Sequence, residues 1–265
     1  MVPLPVDVCG EAALCGAGHA EESGVERIDV GELTQWQEQA IERYLDLVHS
    51  HPELFRDRKR RPLVLDRQRL REYAATSGAV LGVAAATDYL WLLNDLVTSS
   101  RGDQEITHPY LRVIPPPGGP TASGVVMLAT LKAPGQDEDL VVMVNQERHA
   151  TGVDELELPR GFGTSGVDGA DQVVEELRSE TGYLVERVEH LGRLRPDSGA
   201  GGGLVDFFHG TVNGQVPPSP EIGEAIVQVL LVPYGKVWDL VRAGAIRDGF
   251  TVQALALYEH RAAGR

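Results

Sequence analysis

Two glutamates four residues apart, Glu176 and Glu180, are the side chains of this 265-residue chain best suited to carry chemistry. On a helix this spacing is about one turn, so both carboxylates project from the same side. Hard cations such as Mg²⁺ or Mn²⁺ take carboxylate oxygens as ligands, and a bound cation would let an anionic substrate approach an acidic protein. The alternative is an ordinary solvent-facing pair, which is the commoner case for glutamates at this spacing.

The surrounding residues predict the helix that positions this pair. Asp168 is placed to cap its start, with Asp171 three residues later, and Gly182 is a natural helix end. A glycine-rich loop precedes the helix and follows the strand-like segment Glu155–Leu158. Apolar residues recur at the spacing of one buried helix face: Ala170, Val173, Val174 and Leu177.

This segment resembles the Nudix hydrolase box, G-x5-E-x7-R-E-U-x-E-E-x-G-U, in which U is an aliphatic or aromatic residue. Six positions match it in register: Gly161, Glu176, Leu177, Glu180, Gly182 and Tyr183. Three positions depart from it: Val167 replaces the first Glu, Glu175 the Arg, and Ser179 one of the paired Glu. In the family that first Glu and the Arg pair with each other, so their joint loss is coherent. Ser179 matters more, because it removes a potential metal ligand or base.

The flanking sequence is similar to the ADP-ribose pyrophosphatase branch of the Nudix superfamily. Leu140–Ala150 and Glu155–Gly161 resemble its strand–turn–strand, and Arg195–Gly199 stands where that branch carries a proline-glycine loop. Glu224–Ile226 and Gly244–Leu255 resemble its closing segment, in which an acidic loop precedes the last strand. Together these flanks make the resemblance much more specific than the degenerate box alone.

The resemblance implies an enzyme that hydrolyses the pyrophosphate of a nucleoside diphosphate linked to another group, and that releases a nucleoside monophosphate. ADP-ribose-like compounds and NAD-derived dinucleotides are the expected substrates. Metal ions held by the box helix would neutralise the phosphates while a carboxylate takes the proton of the attacking water. The implied metal ligands are Glu176, Glu180, Glu224 and the backbone carbonyl of Arg160.

The resemblance also implies roles in proton transfer and substrate binding. Glu224 is expected to be the base, with Glu221 in reserve and Glu180 as a further catalytic candidate. Substrate contacts are expected from Arg148, Arg160, Gly161 and Pro196. For Arg148, an ordinary surface position after a strand is an equally good interpretation.

Two other functions fit the same residues. A box without three of its consensus side chains could keep the Nudix fold as a catalytically inactive nucleotide sensor or interaction module. Gly161, Gly163 and Gly166 also spell G-x-G-x-x-G, the fingerprint of dinucleotide-binding oxidoreductases. Pro159-Arg160 interrupts the passage from strand to loop, and the helix is predicted to start only near Gly169, so the sequence favours the hydrolase.

Composition narrows the classes of partner and compartment. Lys and Arg number 24 against 39 Asp and Glu, a formal net charge of −15, which argues against a nucleic-acid binder because that class needs a basic surface. Cys9 and Cys15 are too few for a disulfide framework, and with His19 they fit no zinc spacing. Since no basic signal sequence or membrane span is evident, we expect a cytoplasmic protein with a small-molecule nucleotide substrate. The resemblance to the ADP-ribose pyrophosphatase branch also implies that the protein forms a homodimer.

Three segments are expected along the chain. Residues 1–24 read as a loose tail, 25–118 as a smaller N-terminal α+β extension, and 119–265 as a Nudix domain. The prolines and glycines of residues 115–120 mark the boundary. The resemblance covers about residues 120–262, and it implies an α+β fold in the form of a Nudix α/β/α sandwich.

Within the extension, helical spacing from Leu33 to Val48 predicts one helix, and Asp66 and Gly78 bracket a second. Periodicity leaves the apolar segments Ala79–Ala86 and Tyr89–Val97 open between strand and helix. Three tryptophans are predicted to lie in the core: Trp36, Trp91 and Trp238. The glycine loop, Gly199–Gly203, is predicted to be a mobile loop over the site.

Overall fold

The computed structural model describes residues 32–56, 59–119, 124–132, 135 and 138–263, which form helices and two β-sheets. The α-helices are α1 (Gln35–Ser50), α2 (Arg67–Ser77), α3 (Gly169–Thr181), α4 (Tyr234–Arg242) and α5 (Gly249–Ala263). The strands are β1 (Gly82–Ala86), β2 (Trp91–Arg101), β3 (Gln104–Ile114), β4 (Gly124–Lys132), β5 (Asp139–Arg148), β6 (Val153–Glu157), β7 (Arg160–Phe162), β8 (Tyr183–Leu194), β9 (Val205–Gln215) and β10 (Ile226–Pro233). The predicted tail over residues 1–24, with Cys9, Cys15 and His19, lies outside the described residues. Among the described helices, none has the length and apolar character needed to cross a membrane.

The N-terminal part folds around a three-stranded antiparallel sheet of order β1-β2-β3. Helices α1 and α2 pack on this sheet around a buried cluster that includes Leu70 and Leu93. The two apolar segments that periodicity left open supply strands β1 and β2, which pair with each other. The second predicted helix is confirmed: the Asp66 carboxylate accepts from the Arg69 N–H at 2.9 Å, and Gly78 ends α2 with a φ of 71°.

The C-terminal part is built on a seven-stranded mixed sheet whose continuous order is β10-β5-β4-β9-β8. Strand β6 pairs with β5, β7 pairs with β4, and β4 and β9 run parallel. Successive side chains of a strand point to opposite faces, so Val125 and Met127 pack toward α3 while Val126 and Leu128 pack toward α5. Helices on both faces of the sheet make the predicted α/β/α sandwich.

The prediction that all three tryptophans are core residues is wrong for Trp36, whose exposed fraction is 59%. At the start of α1, Thr34 Oγ1 accepts from the Gln37 N–H at 3.2 Å, and Gln37 Oε1 accepts from the Thr34 N–H at 2.9 Å. This capping box turns Gln37 inward, where its amide donates to backbone carbonyls, and it leaves Trp36 on the solvent side. Trp91 and Trp238 are half-buried and pack against the two cores.

The glycine loop joins the two parts of the fold. The N–H of Val113, on β3, donates to the Ala200 carbonyl at 2.7 Å, and the Gly202 N–H donates back to the Val113 carbonyl at 3.0 Å. Tyr110 Oη donates to the Gly199 carbonyl at 2.7 Å. The loop therefore lies parallel to β3 along the edge that β2 does not use, and these bonds attach it to the N-terminal part.

Candidate active site

A cleft of about 820 Å³ opens between the two parts of the fold. Its wall is formed by the turn before β2, the end of β3, strands β4, β5 and β7, helix α3, the glycine loop, the turn before β10 and the start of α5. All eight residues that the sequence proposed for the site lie in this wall: Arg148, Arg160, Gly161, Glu176, Glu180, Pro196, Glu221 and Glu224. The fold thus gathers into one cavity side chains that come from five separate segments.

Three carboxylates converge in this cleft. Glu176, Glu180 and Glu224 each offer one oxygen, and these oxygens all lie within 4.8 Å of one another. Helix α3 supplies the first two from adjacent turns, and the turn before β10 supplies the third. In the part of the chain that the structure describes, this is the one such group of three His, Cys, Asp or Glu side chains. Carboxylate oxygens this close can surround a single hard cation.

The cluster holds more negative charge than its surroundings balance. Burial, and then the charges of Glu224 and Glu176, raise the pKa of Glu180 to about 9. Burial also raises the pKa of Glu176, against the hydrogen bond that Gln172 donates to it at 2.7 Å. For Glu224, burial raises the pKa more than the backbone N–H of Glu221 lowers it. Glu180 Oε2 is buried and has no hydrogen-bond partner among the described residues, so a cation would relieve both the repulsion and the missing contact.

The closeness of β7 to α3 explains why position 161 is a glycine. A Cβ atom built on Gly161 would lie 2.2 Å from the carboxyl carbon of Glu176, far inside contact distance. Any side chain at this position would therefore push the Glu176 carboxylate out of the cluster. Helix α3 itself is capped as predicted, because Asp168 accepts from the Ala170 N–H at 2.8 Å and Gly182 ends the helix with a φ of 77°.

Two arginines flank the carboxylates and share one buried partner. Glu157, with an exposed fraction of 1%, accepts hydrogen bonds from Arg148 and from Arg160, the latter at 3.3 Å. Arg160 also lies 3.8 Å from Asp248, and its guanidinium stacks over the Phe250 ring at 4.5 Å. The Nε atoms of both arginines are buried without a hydrogen-bond partner in the described structure. Each arginine therefore has one N–H donor that no described residue uses.

The turn that carries Glu224 is fixed from both sides. The Glu221 N–H donates to Glu224 Oε2 at 2.8 Å, and the Glu224 N–H donates to the Glu221 carbonyl at 3.0 Å. From β5, the Gln146 amide donates to the Glu224 carbonyl and the Glu147 N–H donates to the Ala225 carbonyl at 3.2 Å. Ala225 has a left-handed backbone with a φ of 49°. Glu221 thus supports Glu224 and does not belong to the three-carboxylate cluster.

Sequence reasoning missed several residues of the cleft. Gln146, and Glu157 beside the cleft, gave no distinct signal, because the end of β5 and most of β6 are polar in sequence and nothing marks these two residues as the buried ones. Tyr89 and Phe162 also gave none: they lie far apart in the chain, yet their rings stack at 5.2 Å between centroids in the cleft wall. Both rings remain exposed, and one comes from each part of the fold.

The three departures from the Nudix box leave the cluster intact. Ser179 lies outside it, and its carbonyl accepts from the Ser219 N–H at 2.9 Å, which attaches the segment before the acidic turn to α3. Glu175 pairs with Arg178 on the surface of the same helix, with the Arg178 Nε atom 2.9 Å from the carboxylate. Val167 has an exposed fraction of 47%. None of the three positions carries an oxygen of the cluster.

The dinucleotide-binding interpretation of Gly161, Gly163 and Gly166 is wrong. That fingerprint requires a parallel strand–helix–strand unit with the helix starting inside the glycine sequence. Here the strand at the first glycine, β7, is antiparallel to its neighbour β4, and α3 starts only after its N-cap, Asp168. The glycines therefore serve the approach of β7 to α3 and the turn that follows.

The comparisons with known proteins establish the fold. No protein-family model matches the chain, and no curated protein matches it significantly. Among solved structures, the crystal structure of an ADP compounds hydrolase matches with a TM-score of 0.53 and 14% sequence identity, over 69% of this chain and 91% of that chain. At that identity the likeness concerns the fold. The chain has an α+β, Nudix-like fold, as the sequence predicted.

Proposed function

We propose that this chain is a divalent-metal-dependent hydrolase that cleaves the pyrophosphate of a nucleoside diphosphate linked to another group, such as ADP-ribose or an NAD-derived dinucleotide. The observation that carries the proposal is the convergence of Glu176, Glu180 and Glu224 within 4.8 Å in a cleft of about 820 Å³. The flanking Arg148 and Arg160 add donors suited to phosphate oxygens. The fold shared with an ADP compounds hydrolase lends further support.

The three clustered carboxylates suit Mg²⁺ or Mn²⁺. Their oxygens are hard ligands, burial raises the pKa of all three, and Glu180 Oε2 is buried without a partner among the described residues. The resemblance adds the backbone carbonyl of Arg160 as a fourth ligand. When bound, such a cation neutralises the phosphate charge and makes phosphorus more electrophilic.

The chain's own groups then bind the substrate and move one proton. Arg148 and Arg160 hold phosphate oxygens, with Gly161 and Pro196 completing the wall of the cleft. Glu224 accepts a proton from a water molecule whose oxygen bonds to phosphorus, and the bridging P–O bond breaks. The products are a nucleoside monophosphate and the phosphorylated second group. Glu221, which holds Glu224 through its N–H, is the reserve base.

Incubation of the purified protein with ADP-ribose, NAD and several nucleotide sugars, with and without Mg²⁺, tests the proposal. Chromatography should show AMP and ribose phosphate from ADP-ribose only when the metal is present. Thermal stabilisation by a nucleotide without turnover would contradict the hydrolase and favour the inactive binding module that the degenerate box suggests. The accompanying proposals of a homodimer and a cytoplasmic location are checked by light scattering and by imaging of a tagged chain.

A further inference from the structure

Gln146 is a buried polar side chain in the cleft wall to which the proposed reaction gives no role. Its exposed fraction is 5%, and it lies on β5 opposite Ile226 of β10. Its Nε2 atom donates to the backbone carbonyl of Glu224. Because a carbonyl oxygen only accepts hydrogen bonds, the amide nitrogen must face it, and the amide oxygen is directed elsewhere.

The amide oxygen of Gln146 is an unsatisfied acceptor. Gln146 Oε1 is buried and has no hydrogen-bond partner among the described residues. Arg148 lies two residues further along β5 and therefore on the same side of the strand. Its Nε–H donor is also buried and has no hydrogen-bond partner among the described residues. Buried polar groups are as a rule hydrogen-bonded, so a bound molecule is expected to satisfy them.

A buried acceptor without a partner is complementary to an O–H group, which would donate its hydrogen to Gln146 Oε1. The Arg148 Nε–H on the same side of the strand stays with the phosphate oxygens that the proposed function assigns to it. Gln146 bonds the Glu224 carbonyl and lines the same cleft as Glu176 and Glu180, so the O–H group would lie in the cleft that holds the three carboxylates. The attacking water and a sugar hydroxyl of the substrate both have this chemistry.

We propose that Gln146 is a positioning residue with two contacts: its Nε2–H fixes the backbone of Glu224, and its Oε1 accepts a hydrogen bond from an O–H group in the cleft. The first contact sets where the Glu224 carboxylate meets Glu176 and Glu180. The second orients either the water or a substrate hydroxyl. This inference rests on the proposed function, because a nucleotide-sugar hydrolase supplies both kinds of O–H group.

Two variants and one matched control test the inference. Gln146→Leu removes both contacts at nearly constant size, whereas Gln146→Glu keeps an acceptor and removes the donor. Asn145→Leu is the control, because Asn145 faces the other side of the same strand and, among the described residues, its amide makes one hydrogen bond, to Asp154 at 3.5 Å. With ADP-ribose and Mg²⁺, Gln146→Leu should lower kcat/KM about tenfold to a hundredfold relative to the wild type. Gln146→Glu should also have a kcat/KM below that of the wild type, because it lacks the donor. The control should change kcat/KM less than about twofold.

The kinetic constants distinguish the two sources of the O–H group. A fall in kcat at constant KM assigns the hydrogen bond to the attacking water, and a rise in KM at constant kcat assigns it to a substrate hydroxyl. A lower melting temperature with kcat and KM unchanged would reduce Gln146 to a structural residue and overturn the inference. Wild-type activity in Gln146→Glu would overturn the role of the Nε2 donor.

The inference and the proposed function can fail separately. If the wild type turns over ADP-ribose and Gln146→Leu matches it, only the inference fails. If the wild type binds ADP-ribose without turnover, its thermal stabilisation by ADP-ribose and Mg²⁺ is compared with that of Gln146→Leu. A smaller stabilisation in the variant supports the contact, and an equal one overturns it. A wild type that neither binds nor cleaves ADP-ribose overturns both.

Discussion

A buried carboxylate of the N-terminal sheet and a buried carboxylate of the cleft have opposite surroundings. In the N-terminal sheet, Asp95 is fully buried and accepts hydrogen bonds from Tyr44 Oη at 2.6 Å and from Arg112 Nε at 2.5 Å. In the cleft, Glu180 is equally buried, has one oxygen without a partner in the described structure, and stands beside two more glutamates. The first arrangement supports the fold, whereas the second leaves an acceptor unpaired and three acids side by side, which suits the proposed cation site. The extent of burial therefore does not distinguish a structural acid from a functional one. The balance of charge around the acid does distinguish them.

The sharpest test of this contrast is Glu180→Gln, which should lower turnover at least about a thousandfold by removing a metal ligand. The pKa of Glu180 is raised to about 9, so its carboxyl is already neutral near pH 7 in metal-free protein. The amide should therefore leave the metal-free melting temperature unchanged, while the stabilisation by Mg²⁺ or Mn²⁺ disappears.

The control for that experiment is Glu175→Gln on the exposed surface of the same helix. Glu175 pairs with Arg178 and does not belong to the cluster, so this variant should keep its activity and its response to metal. Full turnover in Glu180→Gln, measured by AMP release, would remove that residue from the metal site.

The same acid-to-amide change at Asp95 should do the reverse. Asp95→Asn breaks a buried ion pair and leaves the Arg112 guanidinium without its counter-charge, which should lower the free energy of unfolding by about 3 kcal/mol. Urea denaturation followed by circular dichroism measures this. Asp103→Asn, in the exposed turn between β2 and β3, is the matched control and should change stability by less than about 0.5 kcal/mol. An Asp95→Asn protein as stable as the control would end the contrast between the two buried acids.

A smaller effect is expected from Gly161→Ala, which disturbs the cluster without removing any of its members. The added Cβ would meet the Glu176 carboxylate, so that side chain must move away from Glu180 and Glu224. Activity should fall about tenfold to a hundredfold, and higher concentrations of Mn²⁺ should restore part of it because the ligands are displaced but present. Gly163→Ala, in the loop beyond β7, is the comparison. Equal activities in the two variants would show that the position of Glu176 does not limit turnover.

The smallest effect concerns a third buried acid, Asp206, which is paired as Asp95 is. Burial alone would raise its pKa, but hydrogen bonds from Arg193 and His190 outweigh burial and hold the pKa below the ordinary value of 3.8. Its contribution to stability is therefore present above about pH 4 and is lost as the pH falls through its lowered pKa. Asp206→Asn should cost about 1–2 kcal/mol at pH 7 and progressively less in acid. Urea titrations of both proteins at several pH values measure the difference, and a constant difference down to pH 2 would exclude the pairing.

Most of the residues that line the candidate site could be predicted because they lie in short segments with a readable pattern. The spacing of Gly161, Glu176 and Glu180 reflects one contact between β7 and α3, and the caps at Asp168 and Gly182 are local chemistry. The fold class followed from the same patterns, since strands and helices alternate on both sides of this segment.

What could not be predicted depends on contacts between distant segments or on local competition. Trp36 is apolar and lies at helical spacing, but the capping box of its neighbours rotates it outward. The stacking of Tyr89 on Phe162 depends on how the N-terminal sheet sits against the cleft, which no local period encodes. Gln146 is buried where its amide donates to the backbone carbonyl of Glu224, in the turn before β10, and the sequence gives no sign of that partner.

The attachment of the glycine loop to β3 has a consequence for the autonomy of the C-terminal part. A chain shortened to begin at Gly124 would keep every clustered carboxylate, but the carbonyls of Gly199 and Ala200 and the N–H of Gly202 would lose their partners. One wall of the cleft would then have to find new hydrogen bonds in water. The N-terminal part thus supplies the strand with which that wall pairs, and the smallest unit that keeps the cleft intact includes the N-terminal part.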